Sequence, residues 1–152
     1  MLPLDFKEFI ALMISNRVRF VMIGGYAYNL YRNPRATGDI DFLVELDAEN
    51  ETRLRRTLVD FGFGSALSPA EEPLLVDGKV IMLGRAPLRI DILTRIDGVE
   101  FSEVYETSRS IQLEGLAFRV ISPATLLKNK RASARPKDIP DIMALEAWLA
   151  AE

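Results

Sequence analysis

Short β-branched apolar runs alternate with segments of helical periodicity along this sequence of 152 residues, and this alternation restricts the fold more than any other feature. The predicted helices cover residues 5–15, 25–31, 47–61, 123–134 and 136–150. The predicted strands cover residues 19–23, 39–45, 74–76, 79–83, 88–93, 111–113 and 116–120, with hairpin turns at Asp77-Gly78 and Glu114-Gly115. The order predicts an α/β (α+β) fold: a mixed β-sheet with flanking helices and two C-terminal helices, in a single domain over residues 1–152.

The sequence contains neither cysteine nor histidine. Their absence excludes disulfides, thiolate nucleophiles, imidazole bases and zinc sites built from these side chains. Any metal must therefore be held by oxygen ligands, which favours Mg²⁺ or Mn²⁺. The net charge of −3 argues against a protein that coats nucleic acid nonspecifically.

The N-terminal residues do not have the pattern of a signal peptide, in which a basic stretch precedes an apolar one. No apolar run approaches the roughly 20 residues that cross a bilayer as a helix. We therefore expect a cytoplasmic protein without a membrane partner.

Asp39 and Asp41 are two residues apart in a predicted strand, so their side chains point to the same face while Ile40 and Phe42 enter the core. Two like charges this close repel each other, and a divalent cation between them would compensate. The alternative is a solvated strand face that carries two acids, and the pair alone does not exclude it.

Asp91 lies in the apolar run 88–93, where an unpaired acid would be costly to bury. If this strand lies beside the strand of Asp39 and Asp41, three carboxylates can hold two ions about 4 Å apart. Such a pair of ions aligns an attacking oxygen with a leaving pyrophosphate. The alternative is an acid paired with Arg89 or Arg85.

Gly24 and Gly25 separate a predicted strand from a predicted helix. Glycine lets backbone amides approach phosphate oxygens closely, and the N-terminus of the following helix attracts negative charge. A tight turn without a ligand is the alternative. The pair precedes Asp39 by one predicted helix and one loop, which makes the position more informative than the pair itself.

Three segments together resemble the polymerase-β-type nucleotidyltransferase superfamily, and most of all its small prokaryotic AbiEii toxin-like members. They are Ile23-Gly-Gly-Tyr-Ala, Arg35-Ala-Thr-Gly-Asp-Ile-Asp-Phe-Leu-Val and Arg89-Ile-Asp-Ile-Leu. The resemblance covers about residues 18–95 and extends loosely to residues 122–130 and 135–142. It implies that Asp39, Asp41 and Asp91 bind Mg²⁺ or Mn²⁺ and act in catalysis, with a nucleoside triphosphate as substrate.

The resemblance also implies a set of nucleotide-binding residues. They are Gly24, Gly25, Arg35, Thr37, Lys128 and Lys137. Arg32 is placed like Arg35 to meet phosphate, and Arg131 and Arg135 follow Lys128 at roughly helical spacing, which fits either a cationic wall or a solvated helix face. Asp138 and Asp141 match the late family element, although an acid such as Asp138 also suits a helix N-terminus.

The family comparison implies transfer of a nucleoside monophosphate to an acceptor hydroxyl on RNA, on a protein or on a small molecule. The toxin-like members favour tRNA or protein as acceptor and an antitoxin as partner. Tyr26 stands where many members have Ser after the glycines, so a catalytically silent nucleotide-binding or interaction module is the alternative. Tyr26, Tyr28 and Tyr31 either stack on a base or pack in the core.

Overall fold

The computed structural model describes residues 2–31, 37–64, 67 and 72–152. The helices are α1 (Leu4–Ser15), α2 (Gly24–Tyr31), α3 (Ala48–Asp60), α4 (Phe101–Thr107), α5 (Pro123–Ser133) and α6 (Ile139–Ala150). The strands are β1 (Phe20–Ile23), β2 (Asp39–Val44), β3 (Val80–Arg85), β4 (Leu88–Leu93), β5 (Arg109–Leu113) and β6 (Leu116–Val120). A short 3-10 turn, Pro136–Asp138, joins the last two helices.

The strands form one mixed six-stranded sheet in the order β3-β4-β2-β1-β6-β5. β2 runs parallel to β4, and β1 runs parallel to β6, while the other neighbours are antiparallel. All four residues of β1 are buried, as expected of a central strand that is covered on both faces. The predicted α/β class, the mixed sheet and the two C-terminal helices are confirmed.

Side chains that the sequence marks as caps fix the starts of two helices. Asp47 accepts a hydrogen bond from the backbone N–H of Asn50 at 2.7 Å at the start of α3. Ser122 accepts one from the N–H of Thr125 at 3.2 Å, with Pro123 at the first position of α5. Both bonds satisfy amides that have no partner within the helix.

The buried side-chain amide of Asn50 links the residue before β1 to the residue after β2. Its Oδ1 accepts from the N–H of Arg19 at 2.7 Å, and its Nδ2 donates to the carbonyl oxygens of Arg19 and Glu45 at 3.2 and 2.8 Å. Three bonds to two strands hold their pairing in register at the end opposite to Asp39.

The predicted hairpin around Asp77-Gly78 is wrong. The turn itself forms, but the residues before it make no strand, and β3 pairs with β4 across Ala86-Pro87. Leu74 and Leu75 are both buried, which breaks the alternation of a strand, and the N–H of Leu75 donates to Glu51 at 2.8 Å. Because a side chain takes this amide, it is not available for a ladder.

Helix α4 was not predicted, since its seven residues are too few for a clear helical period. None of the helices in the described ranges is long and apolar enough to cross a membrane.

Candidate active site

The three predicted acids converge because β2 and β4 are adjacent parallel strands. Their register places Asp41 opposite Asp91 and Asp39 opposite Arg89. Asp39 and Asp41 are partly exposed and Asp91 is 8% exposed, and all three line one cavity of about 460 Å³. Residues separated by 50 positions in the sequence thus share one site at one end of these strands.

The Gly24-Gly25 turn closes this site from the side of β1. In the β1–β2 pairing Ile23 lies opposite Asp41, so the next residue passes directly over the Asp41 carboxylate. Gly24 has a φ of +73°, and a Cβ on it would lie 2.3 Å from Asp41 Oδ2. A Cβ on Gly25 would lie 2.8 Å from Thr37 Oγ1. Only glycine allows the backbone to approach both side chains this closely.

A side chain at position 25 would thus crowd Thr37, although neither Gly25 nor Thr37 is among the residues that line the cavity. The Thr37 hydroxyl also donates to the carbonyl oxygen of Asp39 at 3.4 Å. Gly24 is the first residue of α2, so the backbone amides at this turn lie at a helix N-terminus beside the carboxylates. Such amides suit anions such as phosphate.

Arg89 forms ion pairs with two of the three acids. Its Nε donates to Asp91 Oδ1 at 2.8 Å, and its Nη2 donates to Asp91 Oδ2 at 2.9 Å and to Asp39 Oδ2 at 3.0 Å. The bidentate contact with Asp91 is the geometry that guanidinium and carboxylate groups prefer. The sequence left two alternatives for Asp91, a place in an acid cluster or an ion pair with arginine. The structure has both, since Asp91 pairs with Arg89 and also lies beside Asp41.

Asp41 bears the electrostatic cost of this cluster. Burial, the charges of Asp91 and Asp39 and a hydrogen bond with Asp91 raise its pKa, Arg89 lowers it, and together they bring the pKa of Asp41 to about 7. One guanidinium does not balance three carboxylates, so Asp41 holds a proton up to near neutral pH.

The donor set of this cavity is chemically suited to a hard cation, since carboxylate oxygens are the ligands that Mg²⁺ and Mn²⁺ prefer. In the described part of the chain, however, no three Asp, Glu, His or Cys side chains are arranged to hold a metal ion. Arg89 takes the oxygen atoms of Asp39 and Asp91 that a cation needs. The chemistry of the three carboxylates thus suits a divalent ion, whereas their arrangement around Arg89 in this structure does not form a metal site.

A basic rim also lines this cavity. It consists of Arg95, Arg135 and Lys137, and the polar side chains of Asn129 and Ser133 line the cavity as well. Lys137, which the sequence predicts to contact the nucleotide, lines the cavity. Arg135, for which the sequence leaves open a cationic wall or a solvated helix face, lines it as well.

Lys128, in contrast, is not brought to this cavity. Its ammonium group pairs with both carboxylate oxygens of Glu103, at 3.1 and 3.0 Å, because its position on α5 faces α4. Arg131 pairs with Glu146 at 3.0 Å, and both side chains are about half exposed. Arg32 and Arg35 lie outside the described residues.

A buried ion cluster supports the basic rim. Lys130 Nζ lies 3.2 Å from Asp138 Oδ1 and 3.1 Å from Asp141 Oδ2, and all three side chains are at most 6% exposed. Arg135 Nε also pairs with Asp138, at 2.8 Å. Burial opposes ionisation of Asp138, but the bonds to Arg135 and Lys130 outweigh it, and its pKa is lowered.

Sequence reasoning singled out Asp138 and Asp141 but missed Lys130. The available signal was its spacing: Lys130 follows the buried Leu126 and Leu127 by four and three positions, so it lies on the buried face of α5. Asp138 makes no side-chain cap bond at the start of α6, so its partners are these cations.

The three tyrosines of α2 pack. Tyr28 is buried, the ring of Tyr26 meets Phe6 edge-on at 5.6 Å, and Tyr31 lies 5.9 Å from Trp148. These contacts match the packing alternative.

Comparisons with known proteins bear on the family and the fold of this chain. The family model "Nucleotidyl transferase AbiEii toxin, Type IV TA system" matches residues 14–150. The solution structure of the antibiotic-resistance factor ANT(2'')-Ia is similar, with a TM-score of 0.61 and 16% identity over 97% of this chain and 83% of that chain. The crystal structure of TM1012 from Thermotoga maritima, described as a nucleotidyltransferase, has a TM-score of 0.55 and 14% identity over 97% and 91% of the two chains. No curated protein sequence matches. At these identities the two structures establish the fold alone.

Proposed function

Because the chain belongs to the AbiEii family of nucleotidyl transferase toxins, we propose that it transfers a nucleoside monophosphate from a nucleoside triphosphate to an acceptor hydroxyl. The observation that carries this proposal is the register that sets Asp41 opposite Asp91, beneath the Gly24 turn. It brings a carboxylate cluster and the glycine turn at the start of α2 together at one cavity. Nucleoside triphosphates are cytoplasmic, and the cytoplasm is the location we propose.

The bound nucleotide lies in this cavity. The backbone amides of Gly24 and Gly25 donate to the β- and γ-phosphates, and Lys137 and Arg135 of the basic rim neutralise phosphate charge. Thr37, whose hydroxyl touches the turn, keeps the backbone of Gly25 in position. Positioning and charge compensation supply most of the catalysis in reactions of this kind.

Asp39, Asp41 and Asp91 would hold a divalent ion, Mg²⁺ or Mn²⁺, which supplies charge neutralisation and orientation at the phosphates. Asp91 accepts the proton of the acceptor hydroxyl at a carboxylate oxygen. The acceptor oxygen then forms a bond to the α-phosphorus, the bond from that phosphorus to the α–β bridging oxygen breaks, and pyrophosphate leaves with the electron pair.

The test is a transfer assay with each α-labelled nucleoside triphosphate, total tRNA and Mg²⁺ or Mn²⁺. We expect label in RNA or in protein with the wild type, and no label with Asp41→Asn. Asp60→Asn, an exposed acid at the end of α3, is the matched control and keeps full activity. Label in RNA identifies tRNA as the acceptor. Label in protein indicates a protein acceptor, and an antitoxin partner is then the first protein to be tested as acceptor.

A second candidate function is nucleotide binding without turnover. The contacts of Arg89 with Asp39 and Asp91 favour binding without turnover. The guanidinium already compensates the charge of these carboxylates, so the site does not require a metal ion. Tyr26, in place of the usual Ser, points the same way. Nucleotide binding in the absence of any metal, with no release of pyrophosphate under any condition, would establish this function and exclude transfer.

A further inference from the structure

Arg89 holds the position in which a cation is needed. It lies on β4 directly opposite Asp39 and two residues before Asp91, so its guanidinium reaches both carboxylates from one strand. Three donor–acceptor distances of 2.8 to 3.0 Å tie it to them. A guanidinium is always protonated and has no lone pair to offer a metal, so it cannot join a metal site as a ligand.

Charge makes this contact more than a surface ion pair. Three carboxylates share one cavity, and Asp91 among them is nearly buried. Without Arg89 these carboxylates would repel one another more strongly, and a proton or an added cation would compensate.

We propose that Arg89 is an internal competitor of the divalent cation: it orders Asp39 and Asp91 before metal binds and must release them when metal binds. This inference rests on the proposed function, since it assumes that the acids receive a metal. It adds that metal binding is coupled to the movement of one named side chain.

The nucleotide provides new acceptors for the released guanidinium. The cavity that Arg89 lines is the one in which we place the triphosphate, and guanidinium groups pair well with phosphate oxygens. Metal and nucleotide should therefore bind cooperatively, each helping the other to detach Arg89 from the carboxylates. Cooperativity between two ligands is reciprocal.

The test measures Mn²⁺ affinity by paramagnetic resonance of free Mn²⁺, with and without a non-hydrolysable nucleoside triphosphate. Arg89→Met should bind Mn²⁺ at least about tenfold more tightly than the wild type in the absence of nucleotide, because hydrogen bonds to charged groups of this kind no longer compete. The nucleotide should tighten Mn²⁺ binding in the wild type and have less effect in the variant. Arg89→Lys, which keeps a charge but loses the planar fork, should fall between them.

Thermal unfolding separates competition from a purely structural role. In EDTA, Arg89→Met should have a lower Tm than the wild type, and saturating Mn²⁺ should close the gap. Arg56→Met, an exposed arginine on α3, should change neither Mn²⁺ affinity nor the response of Tm. A loss of Tm that Mn²⁺ does not repair, with Mn²⁺ affinity equal to the wild type or weaker, overturns the proposal.

The outcomes also separate this inference from the proposed function. If the wild type binds Mn²⁺ and Arg89→Met binds it no better, the competition fails while the metal site stands. If Arg89→Met binds Mn²⁺ and the wild type does not bind it even with nucleotide, Arg89 never releases the acids, and the inference is overturned. If neither protein binds Mn²⁺, and neither transfers label, both the metal site and the inference are overturned.

Discussion

Replacing Lys130 with methionine leaves Asp138 and Asp141 buried without the cation between them. The side chains are 6%, 3% and 6% exposed for Lys130, Asp138 and Asp141, so water cannot replace the lost ammonium group. Methionine has a similar length and an apolar stem, so the substitution removes charge without opening a large cavity. The variant therefore isolates the electrostatic contribution of this cluster.

Breaking a buried ion pair by removing one partner costs about 3–5 kcal/mol, because an uncompensated charge remains. Asp138 keeps Arg135 at 2.8 Å, which places the expected loss near the lower end, at about 3 kcal/mol. Domains of this size lose roughly 2–4 °C in Tm per kcal/mol. We therefore expect Tm to fall by about 6–12 °C.

The matched control is Arg131→Met, on the next residue of the same helix. Its pair with Glu146 is 56% and 47% exposed, and exposed pairs contribute only about 0–1 kcal/mol. Urea unfolding followed by circular dichroism gives the free energy of unfolding for both variants. The triple variant Lys130→Met/Asp138→Asn/Asp141→Asn should recover part of the loss, since it removes all three buried charges together.

The cluster should also affect function, because Arg135 and Lys137 line the cavity next to it. Lys130→Met should raise KM for the nucleotide while leaving Mn²⁺ affinity unchanged. The reasoning is refuted if Lys130→Met and Arg131→Met lose the same free energy of unfolding, or if the triple variant is less stable than Lys130→Met.

Three further predictions concern the site itself. Gly24→Ala should cost about 1–3 kcal/mol in backbone strain at its φ of +73°. It should also displace the Asp41 carboxylate, so Mn²⁺ titration should show lost binding. The control Gly62→Ala, at a φ of +99° with open space around it, should cost only the strain. In EDTA, the wild type should gain stability relative to Asp41→Asn as pH falls through about 7. The reason is that a carboxyl group whose pKa is raised in the folded state binds its proton more tightly there than in the unfolded state. If urea unfolding gives the same dependence of stability on pH for both proteins, the raised pKa is contradicted. Lys137→Met should raise KM for the nucleotide several-fold, whereas Lys128→Met, whose partner is Glu103, should leave it unchanged.

Local patterns determined much of this protein. The period of two in residues 39–45 predicts that Asp39 and Asp41 share a face, and Ser122 followed by Pro123 marks the start of α5. The two glycines mark the end of β1. Each of these features depends on residues close in sequence, where side-chain direction and backbone preference act over one or two turns.

Only the tertiary structure decided which strands meet and in what register. β3 pairs with β4 rather than with residues 74–76, because Glu51 takes the amide of Leu75. The parallel pairing of β2 with β4 sets Asp41 against Asp91 and lets Arg89 reach Asp39. The sequence of one strand cannot specify such contacts. If β4 were shifted by one residue relative to β2, different side chains of the two strands would share a face, although the pattern within each strand would be unchanged. The acids of the site, and Arg89 as one candidate partner of Asp91, follow from the sequence, whereas the fold decided that Arg89 also reaches Asp39.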